Sequence, residues 1–315
     1  MRYRIIANPL AGRGFGAKAI PKIEQLLSEH ELDFDLVTTT WAGEAVELAR
    51  QAVHDGYDVV VASGGDGTFH EVVNGMLNAA DDGAWPGRDV VGDLGMLQTG
   101  SGCDFAWSAG VPADLESACA RLAKHQTRIV DVGRVTVDNT ETRYFDNSVG
   151  IGFEGVVTVE VRRFKHLRGM ALYLPAVLRS IFVALKKARS TIEYEDGSDG
   201  ASTYRQVQLD VLMADVYNGT RGGGAFLIAP QAELDDGKFD LCLLGNMSRL
   251  RMLQLIPSFM KGTHIHEKDV MTMRSRHVII TSQDSLIAHT DGELICTDAH
   301  RIECEILPKR LRLIC

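Results

Sequence analysis

Up to residue 129, short apolar runs alternate with longer stretches whose apolar residues recur every three or four positions. Residues 3–7 read as a short strand, and Ile20, Ile23, Leu26 and Leu27 fall at helical spacing within 17–29. Residues 34–39 predict a second strand. The next stretch, 44–54, predicts a helix with Ala45, Val46, Leu48, Ala49 and Val53 on its apolar side. A nearly continuous apolar strand at 57–62 is followed by a helix at 69–79, a weaker strand at 90–98 and a helix at 113–125. Strands separated by helices imply a parallel sheet covered on both faces.

The pattern changes near Ile129. Strand-like runs follow at 129–137, 143–149, 206–216, 238–244, 277–281 and 301–307, separated by turn dipeptides such as Asp196-Gly197 and Asp236-Gly237. This reads as a β-rich second domain, a sandwich. The expected division is an α/β domain over 1–129 and a β-rich domain over 130–307, with 308–315 returning to the first. A basic, partly helical insertion at 161–190 interrupts the second domain. It carries Arg162, Arg163, Lys165, Arg168, Arg179, Lys186, Lys187 and Arg189, and no acidic residue.

Length and composition agree with two packed domains. The chain has 315 residues, 45% of them hydrophobic, and domains typically run about 100–200 residues. A net charge of −9 argues against a nucleic-acid partner, which needs a broad basic surface. The N-terminal apolar run is too short for a signal peptide and reads as a first strand. No stretch has the length and apolarity of a transmembrane helix. Six scattered cysteines, with no Cys-x-x-Cys pair, suit reduced thiols in a cytoplasmic protein.

The strongest chemical signal is Gly64-Gly65-Asp66-Gly67-Thr68, between an apolar strand and a helix. Open α/β sheets bind ligands at the carboxyl ends of their strands. Glycines let the backbone approach a phosphate, and the following helix presents unpaired N–H groups. Asp66 would repel a bare phosphate, so its presence suits Mg²⁺ between carboxylate and phosphate. An ordinary strand-to-helix turn has the same composition. A second motif, Gly12-Arg13-Gly14-Phe15-Gly16-Ala17 with Asp33 or Asp35 beyond it, fits a dinucleotide fingerprint and keeps an NAD(P)-dependent oxidoreductase open. No Walker A sequence is present. His264-x-His266, beside Gly262 and Glu267, reads as a surface loop.

Gly64 to Thr68, followed by Glu71 and Asn74-Gly75, resembles the signature of the diacylglycerol kinase and sphingosine kinase family. That family belongs with NAD kinase in a broader group. The resemblance runs along nearly the whole chain. Asn8-Pro9 with Gly12 and Gly14 resembles the family's opening loop, and Thr39 its nucleotide-contacting threonine, with Thr40 one residue away. Gly100-Ser101-Gly102-Cys103-Asp104-Phe105-Ala106 resembles its G-T-x-N-D-F-A segment, with Cys103 in place of asparagine and Ser101 in place of threonine. Asn147 with Gly150-Ile151-Gly152-Phe153-Glu154 resembles the entry to the second domain. Gly222-Gly223-Gly224, Ala229-Pro230 and Asp236-Gly237 resemble its Gly-rich strand and acidic turn. Asp291-Gly292-Glu293 resembles the late motif that carries the catalytic carboxylate, although Asp-Gly is also a common hairpin turn.

The resemblance implies a Rossmann-like N-terminal domain and a β-sandwich C-terminal domain, with the active site in the cleft between them. It implies an ATP-dependent lipid kinase acting on diacylglycerol or a related lipid; an NAD kinase-like small-molecule kinase and a non-catalytic binding protein remain the other readings. ATP would be held by Asn8, Thr39, Gly64, Gly65, Asp66, Gly67, Thr68, Glu71, Gly100, Ser101 and Asp104. Asp66 would act through Mg²⁺, and Glu293 would accept the hydroxyl proton. Glu233, Asp236 and the Lys238 carbonyl resemble a turn that binds a structural Mg²⁺ in bacterial relatives, and equally fit a solvated acidic turn. The basic insertion suits peripheral contact with anionic lipid at the inner membrane face, or a domain-packing helix with charged ends. A homodimer is left open.

Overall fold

The structure, a computed structural model, describes residues 1–85, 89–161, 163–164, 170–184, 187–196, 203–224 and 226–315. Arg162, Lys165, Arg168 and Lys186 of the basic insertion, and Gly197 of the Asp-Gly turn, lie outside the described residues. The elements in order are β1 (Arg2–Ala7), α1 (Ala11–Glu29), β2 (Asp33–Thr38), α2 (Glu44–His54), β3 (Val59–Gly64), α3 (Asp66–Asp81), β4 (Val91–Gln98), α4 (Asp104–Ser108), α5 (Leu115–Lys124) and β5 (Thr127–Val137). Then come β6 (Glu141–Phe145), β7 (Ser148–Gly152), α6 (Phe153–Val161), α7 (Met170–Arg179), β8 (Ala188–Asp196), β9 (Thr203–Val211), β10 (Met213–Tyr217) and β11 (Phe239–Leu244). The chain closes with α8 (Arg249–Lys261), β12 (Val270–Ser275), β13 (His277–Thr290) and β14 (Glu293–Ile314). It divides into two compact units, Met1–Val132 with Pro308–Cys315, and Gly133–Leu307.

The first unit is a parallel sheet in the order β4-β3-β1-β2, with the end of β14 joining parallel to β4 through Leu311, Arg312 and Leu313. Alternate residues of a strand face opposite layers. Tyr3, Ile5, Val59, Val61 and Leu97 pack with Ala19, Ile23 and Leu27 of α1 and Ala118, Cys119 and Leu122 of α5. The intervening Ile6, Val60, Ala62 and Met96 are equally buried and face the α2–α3 layer. This is the parallel sheet covered on both faces that the alternating pattern predicts, in the Rossmann-like form that the resemblance implies.

The second unit is a β-sandwich. One layer pairs β9 with β8, β8 with β13, β13 with β14, β14 with β5 and β5 with β6. The other runs β12-β11-β10-β7 and continues into the far end of β13. Strand β13 changes partner along its length: Val278 to Ser282 pair with β8, and Ala288 to Thr290 pair with β7, with register shifts between. Bulges bend strands in this way. Val149, Ile151, Ala214, Val216, Phe239, Val278, Ile280 and Ile302 fill the space between layers. On the outer face of β10, Met213 and Tyr217 pack with Val157, Ala176, Val177, Leu255 and Phe259 from α6, α7 and α8.

Several local expectations change. The run at 143–149 is two strands broken at Asp146-Asn147, and 206–216 is two strands broken at Leu212. The runs at 277–281 and 301–307 belong to much longer strands. The pattern did not predict α8, whose N-cap Ser248 accepts the Arg251 amide at 3.2 Å. His264 is not in an exposed loop. It is buried, its ring stacks on Phe259 at 3.9 Å, and its Nε2 lies 2.9 Å from the Ile228 carbonyl. Among the described residues, no helix is long and apolar enough to cross a membrane.

Candidate active site

In the first unit the strand order reverses between β1 and β3, because β1 leads to β2 on one side and has β3 on the other. Open α/β sheets bind ligands at such a switch point, outside the strands' carboxyl ends. The loop after β1 begins at Asn8 and the loop after β3 at Gly65. The Asn8 amide donates to the Ser63 carbonyl at 2.9 Å, and its side-chain Nδ2 to Thr68 Oγ1 at 3.1 Å. Gly12, Arg13 and Gly14 turn the chain at φ 54°, 58° and 87° before α1 runs on.

The segment after β4 closes on the same place. The Thr99 and Gly100 amides both donate to the Gly64 carbonyl, at 2.9 and 2.8 Å. A Cβ added to Gly102 would lie 2.6 Å from Asp66 Oδ2, so any larger residue there would displace the Asp66 carboxylate. Asp66 is the first residue of α3, yet its Oδ1 accepts the Asp104 and Phe105 amides of α4, at 2.6 and 3.3 Å. A carboxylate satisfies otherwise unpaired amides at a helix start. The N-cap residue of α4, Cys103, makes no side-chain cap and sits at φ 53°; its thiol points to the Gly64 carbonyl at 3.7 Å.

Asn8, Gly64, Gly65, Asp66, Thr68, Gly100 and Asp104 are thus linked by these loops, and Gly67 follows Asp66 in α3. Ser101 is exposed beside them. Glu71 has a structural role, because its two oxygens accept the Gly43 and Ala45 amides at 3.0 and 3.2 Å and so cap α2 from α3. Thr39 is buried and its amide donates to the Ala7 carbonyl at 2.9 Å. The Thr40 hydroxyl donates to Glu44 at 2.9 Å.

In the second unit, Asp291 is a buried anchor. At φ 48° it accepts the Asp146, Asn147 and Ser148 amides at 3.1, 3.0 and 2.8 Å. The Gly292 amide donates to His289 Nδ1 at 3.2 Å. Glu293, the next residue, is exposed at the start of β14. Behind the turn, His289 Nε2 lies 3.2 Å from Glu154 Oε2, and the Tyr217 hydroxyl donates to Glu154 Oε1 at 3.1 Å. Asp215 shares the face of β10 with Tyr217. Its carboxyl is pushed well above the usual range, first by complete burial and then by the charge of Glu154; the Ile151 amide opposes this. The sequence reading missed His289, Tyr217 and Asp215. The one signal that could have found them was an acidic residue inside the apolar run Met213-Ala214-Asp215-Val216-Tyr217.

The acidic turn has its own countercharge. Asp236 Oδ1 accepts the Lys238 amide at 3.0 Å, Oδ2 pairs with the Arg274 guanidinium, and Arg274 Nε also reaches Asp240 Oδ2 at 3.2 Å. Burial raises the Asp240 carboxyl, and Arg274 opposes the shift. Glu233 and Asp236 both lie near enough to repel Asp240. Arg274 is the cation that faces the carboxylates of this turn. Among the described residues, no group of three or more His, Cys, Asp or Glu side chains is arranged to hold a metal.

A Rossmann-like domain with a glycine-rich switch-point loop, followed by a β-sandwich bearing an Asp-Gly-Glu turn anchored by its buried aspartate, defines a class of nucleotide-dependent kinases. Residues 2–135 match the family model of the diacylglycerol kinase catalytic domain, and residues 147–315 match that of the YegS C-terminal NAD kinase beta sandwich-like domain. The chain belongs to the family that combines these two domains. It is 28% identical to a diacylglycerol kinase of Bacillus subtilis (strain 168) over 93% of this chain and 89% of that protein. It is also 28% identical to a diacylglycerol kinase of Mycobacterium tuberculosis (strain ATCC 25618 / H37Rv), over 92% and 88% of the two chains. A crystal structure of a diacylglycerol kinase from Bacillus anthracis str. Sterne superposes with a TM-score of 0.72 at 19% identity, covering 99% of this chain and 96% of that one. The last likeness concerns the fold alone.

Proposed function

We propose that this chain is an ATP-dependent lipid kinase that transfers the γ-phosphoryl group to a hydroxyl of diacylglycerol or a related lipid. The observation that carries this reading is the glycine loop at the β1–β3 switch point, in a chain whose two halves match the two domains of a lipid-kinase family. The glycine loop and helix start at 64–68 suit a polyphosphate, with the 100–104 segment packed beside them. Asp66 and Asp104 bring carboxylates to the same loops, which suits ATP arriving as its Mg²⁺ complex. Asp66 and Asp104 would hold that ion, which would supply positive charge against the phosphate oxygens in the transition state. Asp66 keeps the 100–104 segment in place through its Oδ1 contacts. Glu293 accepts the proton of the attacking hydroxyl. The Arg274-paired acidic turn has no part in this sequence of events.

A peripheral encounter with the membrane fits the substrate. On α7 and the turn after it, Leu174, Leu178 and Phe182 recur every four residues and are exposed, as is Val183. An apolar helical stripe suits insertion at the headgroup boundary. Two cations of the insertion have a different role: Arg179 and Arg163 pair with buried Glu160, at 2.5 and 3.0 Å.

The test is incubation of the purified protein and MgATP, labelled in the γ-phosphate, with diacylglycerol, sphingoid base, ceramide and NAD separately. A labelled phosphomonoester lipid is expected. Labelled NADP would favour the NAD kinase-like reading, and no labelled product would remove the kinase reading.

A further inference from the structure

We propose that His289 is a positioning residue for phosphoryl transfer: with Glu154 behind it, its Nδ1 holds the Gly292 amide and so fixes where Glu293 stands. This rests on the reading of Glu293 as the general base. All of the contacts lie within the second unit.

The turn between β13 and β14 is held from two sides. Asp291 ties it to the amides of residues 146–148. That bond fixes the residue before the glycine, and glycine itself is the most permissive residue in the chain. What fixes the far side is the Gly292 amide on His289 Nδ1, at 3.2 Å. An amide donates only, so Nδ1 must be the ring's unprotonated nitrogen. The proton then sits on Nε2, which faces Glu154 Oε2 at 3.2 Å. An acceptor on one ring nitrogen sets the tautomer of the other. Glu154 is itself held by the Tyr217 hydroxyl, at 3.1 and 3.2 Å to its two oxygens.

Asp215 and Cys242, both buried, lie near Glu154, and burial pushes the carboxyl of the one and the thiol of the other up. A Cβ on Gly150 would collide with both Glu154 Oε2 and His289 Nε2, so β7 leaves the pair its space by carrying glycine there. A general base must stand within hydrogen-bond reach of its proton, and small displacements of a reacting group are costly. An exposed glutamate on a hairpin needs such a support, and the chain from Tyr217 through Glu154 and His289 to Gly292 supplies it.

The experiment uses two isosteres of opposite halves of the imidazole. Asparagine places an acceptor where Nδ1 is; glutamine places a donor where Nε2 is and leaves the Gly292 amide without a partner. In the full-length protein, H289Q and H289A should lower kcat at least tenfold with ATP affinity unchanged, and H289N should recover most of that loss. In an E293Q background, H289Q should cost less than threefold, because both changes act through one group. Amide exchange at Gly292 should quicken in H289Q and remain slow in H289N. Equal kcat in H289N and H289Q, additive losses with E293Q, or unchanged Gly292 exchange in H289Q would each overturn the positioning role. Full kcat in E293Q alone would overturn the base assignment and this proposal with it. An effect on exchange without one on kcat would show the support to be structural and overturn the catalytic claim only.

Discussion

Asp66 Oδ1 accepts the backbone N–H of Asp104 at 2.6 Å, so the acidic residue of the glycine loop also caps a helix thirty-eight positions away. A residue expected to face a metal–phosphate complex therefore has a second role, and substitutions separate the two.

Asp66→Asn keeps an oxygen in place of Oδ1 and removes the charge. The cap should survive with a loss of at most about 1 kcal/mol, the helix-dipole share. Asp66→Ala removes the acceptor too and should cost about 0.5–2 kcal/mol. Both variants should lose phosphoryl transfer by orders of magnitude. Urea midpoints measured beside turnover check this. Near-normal turnover in the asparagine variant would remove the carboxylate charge from the reaction.

Cys103 occupies a left-handed N-cap position, with φ 53° and no side-chain cap. Asparagine tolerates that conformation better than other non-glycine residues and is a strong N-cap. Its amide also offers a better donor than a thiol toward the Gly64 carbonyl, now 3.7 Å from Sγ. Cys103→Asn should raise the urea midpoint, by about 0.5–1 kcal/mol in stability, and maintain or raise kcat. A tenfold loss of kcat would show that this turn has repacked around cysteine.

Asp215 gives the protein a pH signature. Its folded carboxyl titrates well above its ordinary value of 3.8. Between those values the native state binds more protons than the unfolded one, so this group makes stability fall as pH rises. Asp215→Asn has no proton to hold. The stability difference, variant minus wild type, should grow from pH 4 towards neutrality in denaturant titrations. A difference independent of pH would mean that Asp215 is charged in the fold.

The exposed stripe on α7 and the turn after it predicts a change in membrane association alone. Phe182→Ser should weaken sedimentation with anionic phosphatidylglycerol vesicles, by about 1.5–3 kcal/mol if the ring is fully inserted. Turnover of a short-chain, water-soluble acceptor should stay within twofold. Equal losses on both would assign Phe182 to internal packing.

Much of the first unit was legible because its signals are local. The apolar run before Gly64 marks a buried parallel strand, and glycines after such a run mark a ligand loop. The second unit was legible in class but not in detail. Strands β6 and β7 read as one because the break falls at two polar residues inside an apolar run, Asp146-Asn147. Asp291 read as a hairpin residue because the three amides that bury it lie 143 to 145 positions earlier. The partner of His289 is equally remote, 135 positions away. Neither pairing leaves a periodic trace. The capping of α2 by Glu71 left no trace either, because Gly43 and Ala45 lie 28 and 26 positions before it.

Glu293 decides the mechanism. It is exposed at the start of β14, one residue beyond a glycine whose amide is held by His289. If it accepts the lipid hydroxyl proton, Glu293→Gln keeps the side chain's size and an acceptor oxygen while removing its basicity. General-base contributions run ~10²–10⁴-fold, and kcat should fall by about that factor with saturating lipid. Nucleotide affinity measured by calorimetry should stay within threefold, because the loops proposed to hold nucleotide follow β1, β3 and β4. The fold should be unaffected, since an exposed side chain contributes little packing. The decisive readings are kcat, the calorimetric Kd for MgATP and the circular dichroism spectrum of one preparation. Normal kcat would return Asp291-Gly292-Glu293 to the status of a structural hairpin. A lost spectrum together with lost nucleotide binding would make the turn a folding element and leave the base to be sought elsewhere.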